Sequence, residues 1–396
     1  LRTDDTTMAQ RYFAVTTPGL EEALLDELRG FKIKKPKIMQ GGVEFQATGR
    51  GLYQVLCWSR IAHRLYLRVD EFRARDGIEL YNKTRRFDWE RLISGGEDED
   101  DDRSIVQVRA VVHRSGIGGS GEALDRVADG LRDHFSQELK VYPPKVLREE
   151  RTRQKPGELT LMARVIEDRC ELNLEASGKP LHQRGWRKET GAAPLRESLA
   201  AAILRLCEWR EDEALVDPMC GSGTFLIEAA RWRQNLGPRQ WSDYSALSFA
   251  NANQELFDEV ASDPPNASSD ASPASIIGAD HDADVIEVAG RNAARAEVSE
   301  EAAFIHAEVK DLAATVSEAK GAPGLVVCNP PYGERLERSG AIRELLEQFA
   351  SGAMSGWRLG ILLPRDFDLT TAVFPMKERA RFTNGGLPVT LWVGES

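Results

Sequence analysis

The amino-acid sequence predicts an α/β protein in which two small α+β units precede a C-terminal domain built on a doubly wound parallel sheet. From about residue 177 onward, short apolar strands alternate with helical segments, the pattern of such a sheet. Upstream, apolar and polar residues alternate with period two, which indicates half-buried strands. The chain has 396 residues, 41% of them hydrophobic and 29% charged, enough for two or three domains with apolar cores.

Residues 1–61 are predicted to form the first α+β unit. Apolar residues recur at helical spacing over residues 19–28, and a strand pattern lies on either side of this helix. The second strand pattern contains a Gly41-Gly42 turn. Residues 62–176 form the second unit, in which a helix over residues 122–138 separates the strand "SIVQVRAVV" from a hairpin centred on Glu167 and Asp168.

Residues 177–396 are predicted to form the third unit, with a linker and a helix over residues 177–204. Seven strands fit an open sheet that ends in a hairpin. They lie at 215–217, 276–280, 303–306, 325–328, 358–363, 380–383 and 389–393.

Composition excludes several classes of protein. No apolar run is long enough to span a bilayer, and the N-terminal residues lack a secretory signal. The five cysteines contain no CxxC pair and none has a histidine at metal-ligand spacing. We therefore expect a cytoplasmic protein with reduced thiols and no metal.

The net charge of −11 does not exclude a nucleic-acid partner, because basic residues cluster locally. Lys34 and Lys35 lie in "FKIKKPK", and Arg184 and Arg187 flank Trp186 in "HQRGWRK". These residues are candidates for RNA contact. Two structural alternatives stay open: ordinary solvated faces for the lysines, and an interdomain salt bridge beside a buried tryptophan for the second cluster.

The stretch "LVDPMCGSGTFLIEAA", residues 215–230, predicts a buried strand, then a turn that contains Gly221 and Gly223, and then a helix. The turn lacks the lysine of a triphosphate-binding loop and the third glycine of a dinucleotide fingerprint. A nucleoside cofactor without a pyrophosphate remains, with Asp217 accepting from an ammonium group and Asp280 holding ribose hydroxyls. This pair suggests S-adenosylmethionine; the structural alternative is a tight turn without a ligand.

The second motif, "VVCNPPYGERL", follows the fourth strand of the predicted sheet and therefore lies at the same edge as the glycine turn. The Asn329 amide oxygen and the Pro330 carbonyl can accept hydrogen bonds from an exocyclic amine and direct its lone pair toward a methyl group. Pro330 and Pro331 stiffen the loop, and Tyr332 offers a face for stacking a planar base.

These motifs, with "TTPGLEEALLDEL", "QGGVEF" and "LHQRGWRKETGAAPLRESLAAAIL", resemble those of the class I S-adenosylmethionine-dependent 23S rRNA guanine-N2 methyltransferases that carry a THUMP RNA-binding domain. The resemblance implies a ferredoxin-like domain over 1–61, a THUMP domain over 62–176 and a Rossmann-like seven-stranded methyltransferase domain over 177–396. Asp280 would hold the ribose, Asp311 would contact the adenine, and residues 329–332 would form the target-base loop. The cofactor would be lined by Asp217, Pro218, Cys220, Gly221, Gly223, Thr224 and Asn329.

The implied partner is RNA, namely 23S rRNA or a pre-ribosomal particle, and the chain would act as a monomer on one unpaired or flipped guanine. It would modify a single site, because it ends near the last strand of one methyltransferase domain. Two alternative enzymes modify tRNA guanine N2 or DNA adenine N6. A third alternative is an inert RNA-binding or ribosome-assembly factor.

Overall fold

The computed structural model describes residues 9–98, 102–148, 157–189, 195–239, 243–265, 274–320, 322–331, 340–367 and 374–395. Within these residues the chain forms one eight-stranded sheet in its N-terminal part and one seven-stranded sheet in its C-terminal part. In the described part of the chain, no helix combines the length and the apolar character needed to cross a membrane.

The N-terminal sheet has the strand order β2-β3-β1-β4-β8-β7-β5-β6, and four helices accompany it. Its strands are antiparallel except that β5 runs parallel to both β6 and β7. The bounds are β1 (Gln10–Val15), α1 (Glu21–Leu28), β2 (Lys34–Met39), β3 (Gly42–Ala47), α2 (Gly49–Trp58), β4 (Arg64–Arg73), α3 (Gly77–Arg85), β5 (Ile105–His113), α4 (Ser120–Asp133), β6 (Lys145–Leu147), β7 (Glu158–Ile166) and β8 (Arg169–Glu175).

Strand β4 connects the two α+β units into this single sheet. It pairs with β1 at its first residues, where Leu65 lies opposite Ala14, and with β8 along most of its length. Leu65 and Leu67 point into the core on one face, so the alternation of the strand fixes its register. The hairpin predicted at Glu167 and Asp168 is confirmed, and both turn residues have positive φ, as a two-residue hairpin turn requires.

The C-terminal sheet has the strand order β11-β10-β9-β12-β13-β15-β14, and all seven predicted strands are confirmed. Strands β11 to β13 are parallel in this order, whereas β15 runs antiparallel to β13 and to β14. The bounds are α5 (Glu197–Leu206), β9 (Glu213–Asp217), α6 (Thr224–Arg233), α7 (Gln254–Ser262), β10 (Ile276–Asp280), α8 (Ala283–Arg295), β11 (Ala302–His306), α9 (Leu312–Ser317), β12 (Ala322–Cys328), α10 (Ala341–Ala350), β13 (Arg358–Pro364), β14 (Lys377–Asn384) and β15 (Leu387–Glu395).

Buried arginines join the two parts of the molecule. Arg60, just after α2, donates hydrogen bonds to the carbonyl oxygens of Arg231 (3.1 Å) and Leu236 (2.7 Å) near the C-terminal end of α6. Arg184 in the linker pairs with Glu228 of α6 at 3.1 Å, and both side chains are fully buried. Helix C-terminal carbonyls carry partial negative charge, so the Arg231 carbonyl helps to stabilise the buried Arg60 cation.

Candidate active site

Three parallel strands bring the predicted chemical groups to one edge of the C-terminal sheet. Strand β9 lies between β10 and β12, and all three run in the same direction. Asp217 ends β9, Asp280 ends β10, and Asn329 directly follows β12. The carboxyl ends of neighbouring parallel strands form a crevice at which ligands of open α/β sheets bind.

The glycine turn between β9 and α6 is shaped by two residues in the left-handed region. Gly221 has φ +53° and Gly223 has φ +82°, and Gly223 directly precedes the first residue of α6. A side chain at Gly223 would meet the Phe304 ring of β11 at 2.8 Å. The Gly221 N–H donates to Asp280 Oδ2 at 3.0 Å, and the Cys220 N–H donates to the Ala279 carbonyl at 2.9 Å. The turn is therefore fastened to β10 and directs the start of α6 toward the crevice.

Asp217 is a buried carboxylate at the floor of this crevice. Its Oδ1 accepts a hydrogen bond from the Met219 N–H at 3.0 Å, and only 2% of the residue is exposed. Burial, reinforced by the charge of Asp280, raises the pKa of Asp217 well above its usual value. A ligand that carries a positive charge would offset this penalty, so the site fits an ammonium group.

The Asp280 carboxylate is held by two backbone groups. Besides the bond from Gly221, its Oδ1 accepts from the Asp282 N–H at 3.1 Å, and His281 Nδ1 lies 3.2 Å from the same oxygen. Asp282 in turn caps α8 through the N–H groups of Asp284 and Val285. These contacts fix the orientation of the Asp280 side chain, and its role toward a ribose stays a prediction.

The remaining predicted cofactor residues differ in exposure. Pro218, Cys220 and Thr224 are buried beside the glycine turn, and burial raises the pKa of Cys220, which keeps its thiol neutral. Asp311 lies after β11 in an exposed turn, where its Oδ2 accepts from the Glu308 N–H at 3.3 Å. The roles of these residues toward a cofactor stay predictions.

The structure places the first part of the predicted target-base loop at the same edge. Asn329 is half-buried, Pro330 is buried, and Pro331 is half-buried. Burial, reinforced by the charge of Asp217, raises the pKa of the Cys328 thiol at the end of β12. Tyr332 lies outside the described residues. Asn329 thus follows β12 at the sheet edge where Asp217 ends β9 and Asp280 ends β10.

The expected RNA contact at Arg184 and Trp186 is wrong in this structure, because both side chains are fully buried. Arg187 is also enclosed: it donates to the Leu195 carbonyl at 2.7 Å and pairs with Glu197 at 2.7 Å. The salt bridges of this cluster lie within residues 177–396, and Arg184 crosses the junction only through a hydrogen bond that it donates to the Arg60 carbonyl. Lys34 and Lys35 are exposed on the edge strand β2, and their contact with RNA stays a prediction.

Two family models match the chain. Residues 184–380 match an RMKL-like methyltransferase domain, and residues 11–66 match the RlmL ferredoxin-like domain. The "Ribosomal RNA large subunit methyltransferase K/L" of Vibrio campbellii is 33% identical over 389 residues, which cover 96% of this chain and 52% of that protein. The chain thus spans about half the length of this curated relative.

Solved structures match across nearly the whole chain. The methyltransferase structure SMU.472, complexed with SAH, has 25% identity and a TM-score of 0.81, and 98% of each chain is covered. A Listeria monocytogenes protein described as a predicted N6-adenine-specific DNA methylase has 26% identity and a TM-score of 0.79, covering 98% of this chain and 97% of its own. Residues 184–380 therefore belong to the RMKL-like family of methyltransferase domains, and the chain joins this domain to a ferredoxin-like domain of the RlmL type.

Proposed function

We propose that this chain transfers a methyl group from S-adenosylmethionine to the exocyclic N2 of a guanine in 23S rRNA. The observation that carries the proposal is the convergence of Asp217, Asp280 and Asn329 at one sheet edge beside the glycine turn. The name of the Vibrio relative, a large-subunit rRNA methyltransferase, agrees with rRNA as the substrate.

The cofactor would be held by carboxylates that accept hydrogen bonds from its polar groups. The buried Asp217 carboxylate would accept from the amino group of the methionine moiety, and Asp280 would accept from the ribose hydroxyls. Asp311 would contact the adenine. S-adenosylmethionine supplies a methyl group bonded to a cationic sulfur, so the target nitrogen needs orientation more than deprotonation.

Asn329 and Pro330 would orient the target amine. Their oxygens accept its two hydrogens, which directs the nitrogen lone pair toward the methyl group. The amine becomes acidic once it is alkylated, so its proton can leave afterwards to solvent. A guanine paired inside a helix presents no free face to such a loop, and the target base must therefore be unpaired or flipped.

The N-terminal sheet would position the RNA. We assign residues 62–176 to a THUMP domain and infer that Lys34 and Lys35 contact phosphates, since both project from an exposed edge strand. The second candidate, methylation of adenine N6 in DNA, is favoured by the description of the Listeria structure. The same loop chemistry serves both amines.

Transfer of labelled methyl groups tests both candidates and the role of Asn329. The protein is incubated with 23S rRNA, 16S rRNA, tRNA and DNA from a strain that lacks it, and the labelled nucleosides are identified by mass spectrometry. We expect N2-methylguanosine in 23S rRNA. Asn329→Ala should slow transfer about 100-fold, because a preorganised polar group is lost, and should leave binding of S-adenosylhomocysteine intact.

Label in N6-methyladenine of DNA would replace the first candidate with the second. Turnover by Asn329→Ala at the wild-type rate would contradict the role of that residue. Cofactor binding without transfer to any naked nucleic acid would direct the assay to pre-ribosomal particles, and a chain that binds no cofactor would be an RNA-binding scaffold.

A further inference from the structure

Glu189, in the interdomain linker, is held against α8 by ion pairs. Glu189 lies between two arginines of this helix: Arg291 Nη2 is 2.7 Å from Glu189 Oε2, and Arg295 Nη2 is 2.5 Å from Glu189 Oε1. Hydrogen bonds from these guanidinium groups lower the pKa of Glu189 to about 2. The carboxylate therefore stays ionised at every pH at which the protein would work.

The same helix connects this linker residue to the glycine turn through Asn292. The Asn292 side chain is fully buried, and its Nδ2 donates to the Glu189 carbonyl at 3.1 Å and to the Ser222 carbonyl at 3.4 Å. Its Oδ1 accepts from Arg295 Nη1 at 3.0 Å, which fixes the orientation of the amide. One buried amide thus joins the linker to the turn.

Ser222 is the residue between the two glycines with positive φ. On one side of it, Gly221 donates to the Asp280 carboxylate; on the other, Gly223 leads into α6. A turn of this kind has few side chains of its own to fix it, so its geometry depends on neighbours that hold its backbone groups.

We propose that Glu189 and Asn292 are positioning residues for the cofactor site. Glu189 holds the linker against α8, Asn292 holds the Ser222 carbonyl, and together they keep the glycine turn and Asp280 in the geometry that receives the cofactor. Neither residue needs to touch the ligand. This inference rests on the proposed function, because it assumes that the glycine turn binds S-adenosylmethionine.

Glu189→Gln is the direct test, and Glu287→Gln is its matched control. Glu287 also pairs with Arg291, at 3.5 Å, but it belongs to α8 itself and is 76% exposed. In calorimetry with S-adenosylhomocysteine, Glu189→Gln should raise the Kd about tenfold. The Kd of the Glu287→Gln control should stay within about twofold of the wild-type value. Both variants should keep the wild-type melting temperature, because partly exposed ion pairs contribute little to stability.

Kinetics separate positioning from catalysis. Glu189→Gln should raise the KM for S-adenosylmethionine and leave kcat at saturating cofactor unchanged. Asn292→Ala should weaken binding as well, and the double variant should bind no more weakly than the weaker-binding single variant, because both residues act through one turn. Additive losses in the double variant would overturn the shared mechanism.

The outcomes distinguish this inference from the proposed function. If the wild-type protein binds the cofactor and Glu189→Gln binds it equally well, the positioning role is wrong and the proposed function stands. If the wild-type protein binds no S-adenosylhomocysteine or S-adenosylmethionine, the proposed function fails and this inference fails with it.

Discussion

At the scale of single residues, the main feature of the candidate site is a carboxylate in a buried position, which disfavours its ionised form. Asp217 is buried at the end of β9 and lies near a second carboxylate, Asp280. A protein rarely retains an ionisable group in such surroundings without a ligand or partner that uses its charge. The strand end was predictable from the apolar run before Asp217, whereas the degree of its burial depends on helices that pack from other parts of the chain.

The raised pKa of Asp217 predicts a pH-dependent affinity for S-adenosylmethionine. The free protein binds a proton at Asp217 when the pH is below this raised pKa, whereas a cationic ligand requires the ionised form. Affinity should therefore increase as the pH rises through the raised pKa and decrease as the pH falls through it. Calorimetry between pH 5 and 8 in buffers of different ionisation enthalpy would measure both the affinity and the proton released.

Asp217→Asn should bind the cofactor more weakly and with a flat pH profile. Asp282→Asn is the control, because Asp282 is an exposed carboxylate at the same edge and asparagine caps a helix equally well. A wild-type profile that does not change with pH would contradict the assignment of Asp217 as the residue that receives the cation.

At the scale of elements, the glycine turn connects β9 to α6 at the sheet edge where we propose that the cofactor binds. Position 223 requires glycine for two reasons: its backbone has a φ of +82°, and the Phe304 ring lies where a side chain would be. The sequence predicts the turn because two glycines lie between an apolar strand and a helix. It does not predict Phe304 as a neighbour, because that contact joins residues 81 positions apart and leaves no local pattern.

Gly223→Ala should lower the free energy of unfolding by about 1–3 kcal/mol, because a β-carbon at positive φ is strained and the Phe304 ring must move. It should also weaken cofactor binding. Gly290→Ala is the control: Gly290 lies inside α8, and a side chain there would meet nothing within 4 Å. This control should gain about 0.5–1 kcal/mol through helix propensity. Equal unfolding free energies for the two variants would refute the strain at Gly223.

Some of these elements and contacts could be predicted from the sequence, and others could not. The seven strands of the C-terminal sheet follow from their short apolar runs, including the edge strand β11, in which only Ala302 is buried. The three-residue strand β6 is too short to produce a period, and its partner β5 is 40 residues away. The burial of Arg184 and Trp186 was also undecided, because a tryptophan between cations is equally compatible with an RNA surface and with an interdomain contact.

At the scale of the whole molecule, the N-terminal and C-terminal parts share a polar interface. Hydrogen bonds cross it from three arginines, Arg60, Arg184 and Arg239. Arg239 donates to the Ser59 carbonyl at 2.9 Å. Two histidines stack edge-to-face at the same junction: His63 follows α2, His182 lies in the linker, and their ring centroids are 5.6 Å apart. Burial lowers the pKa of His63 to about 3 and that of His182 to about 4.

These two histidines predict acid lability. In the unfolded chain both bind protons below about pH 6.5, whereas in the folded protein they stay neutral until about pH 4 and below. Their contribution to stability is complete above pH 6.5 and is lost as the pH falls from 6.5 toward 3. For the pair, the slope of the free energy of unfolding against pH is up to about 2.7 kcal/mol per pH unit.

Urea denaturation at several pH values would measure this slope. His182→Gln should reduce it by up to about half, because one of the two groups no longer titrates. His113→Gln, at an exposed position on β5, should leave it unchanged. A slope that is the same in wild type and His182→Gln would show that other groups cause the loss of stability in acid.

The shared strand β4 also sets an order of events during synthesis. Its partner β8 lies about 100 residues further along the chain, so at typical translation rates roughly 5–20 s separate the emergence of the two strands from the ribosome. During that interval one edge of β4 exposes backbone N–H and C=O groups that pair with β8 in the complete sheet. The open edge of β4 is therefore covered only after β8, at the end of the second unit, has been synthesised.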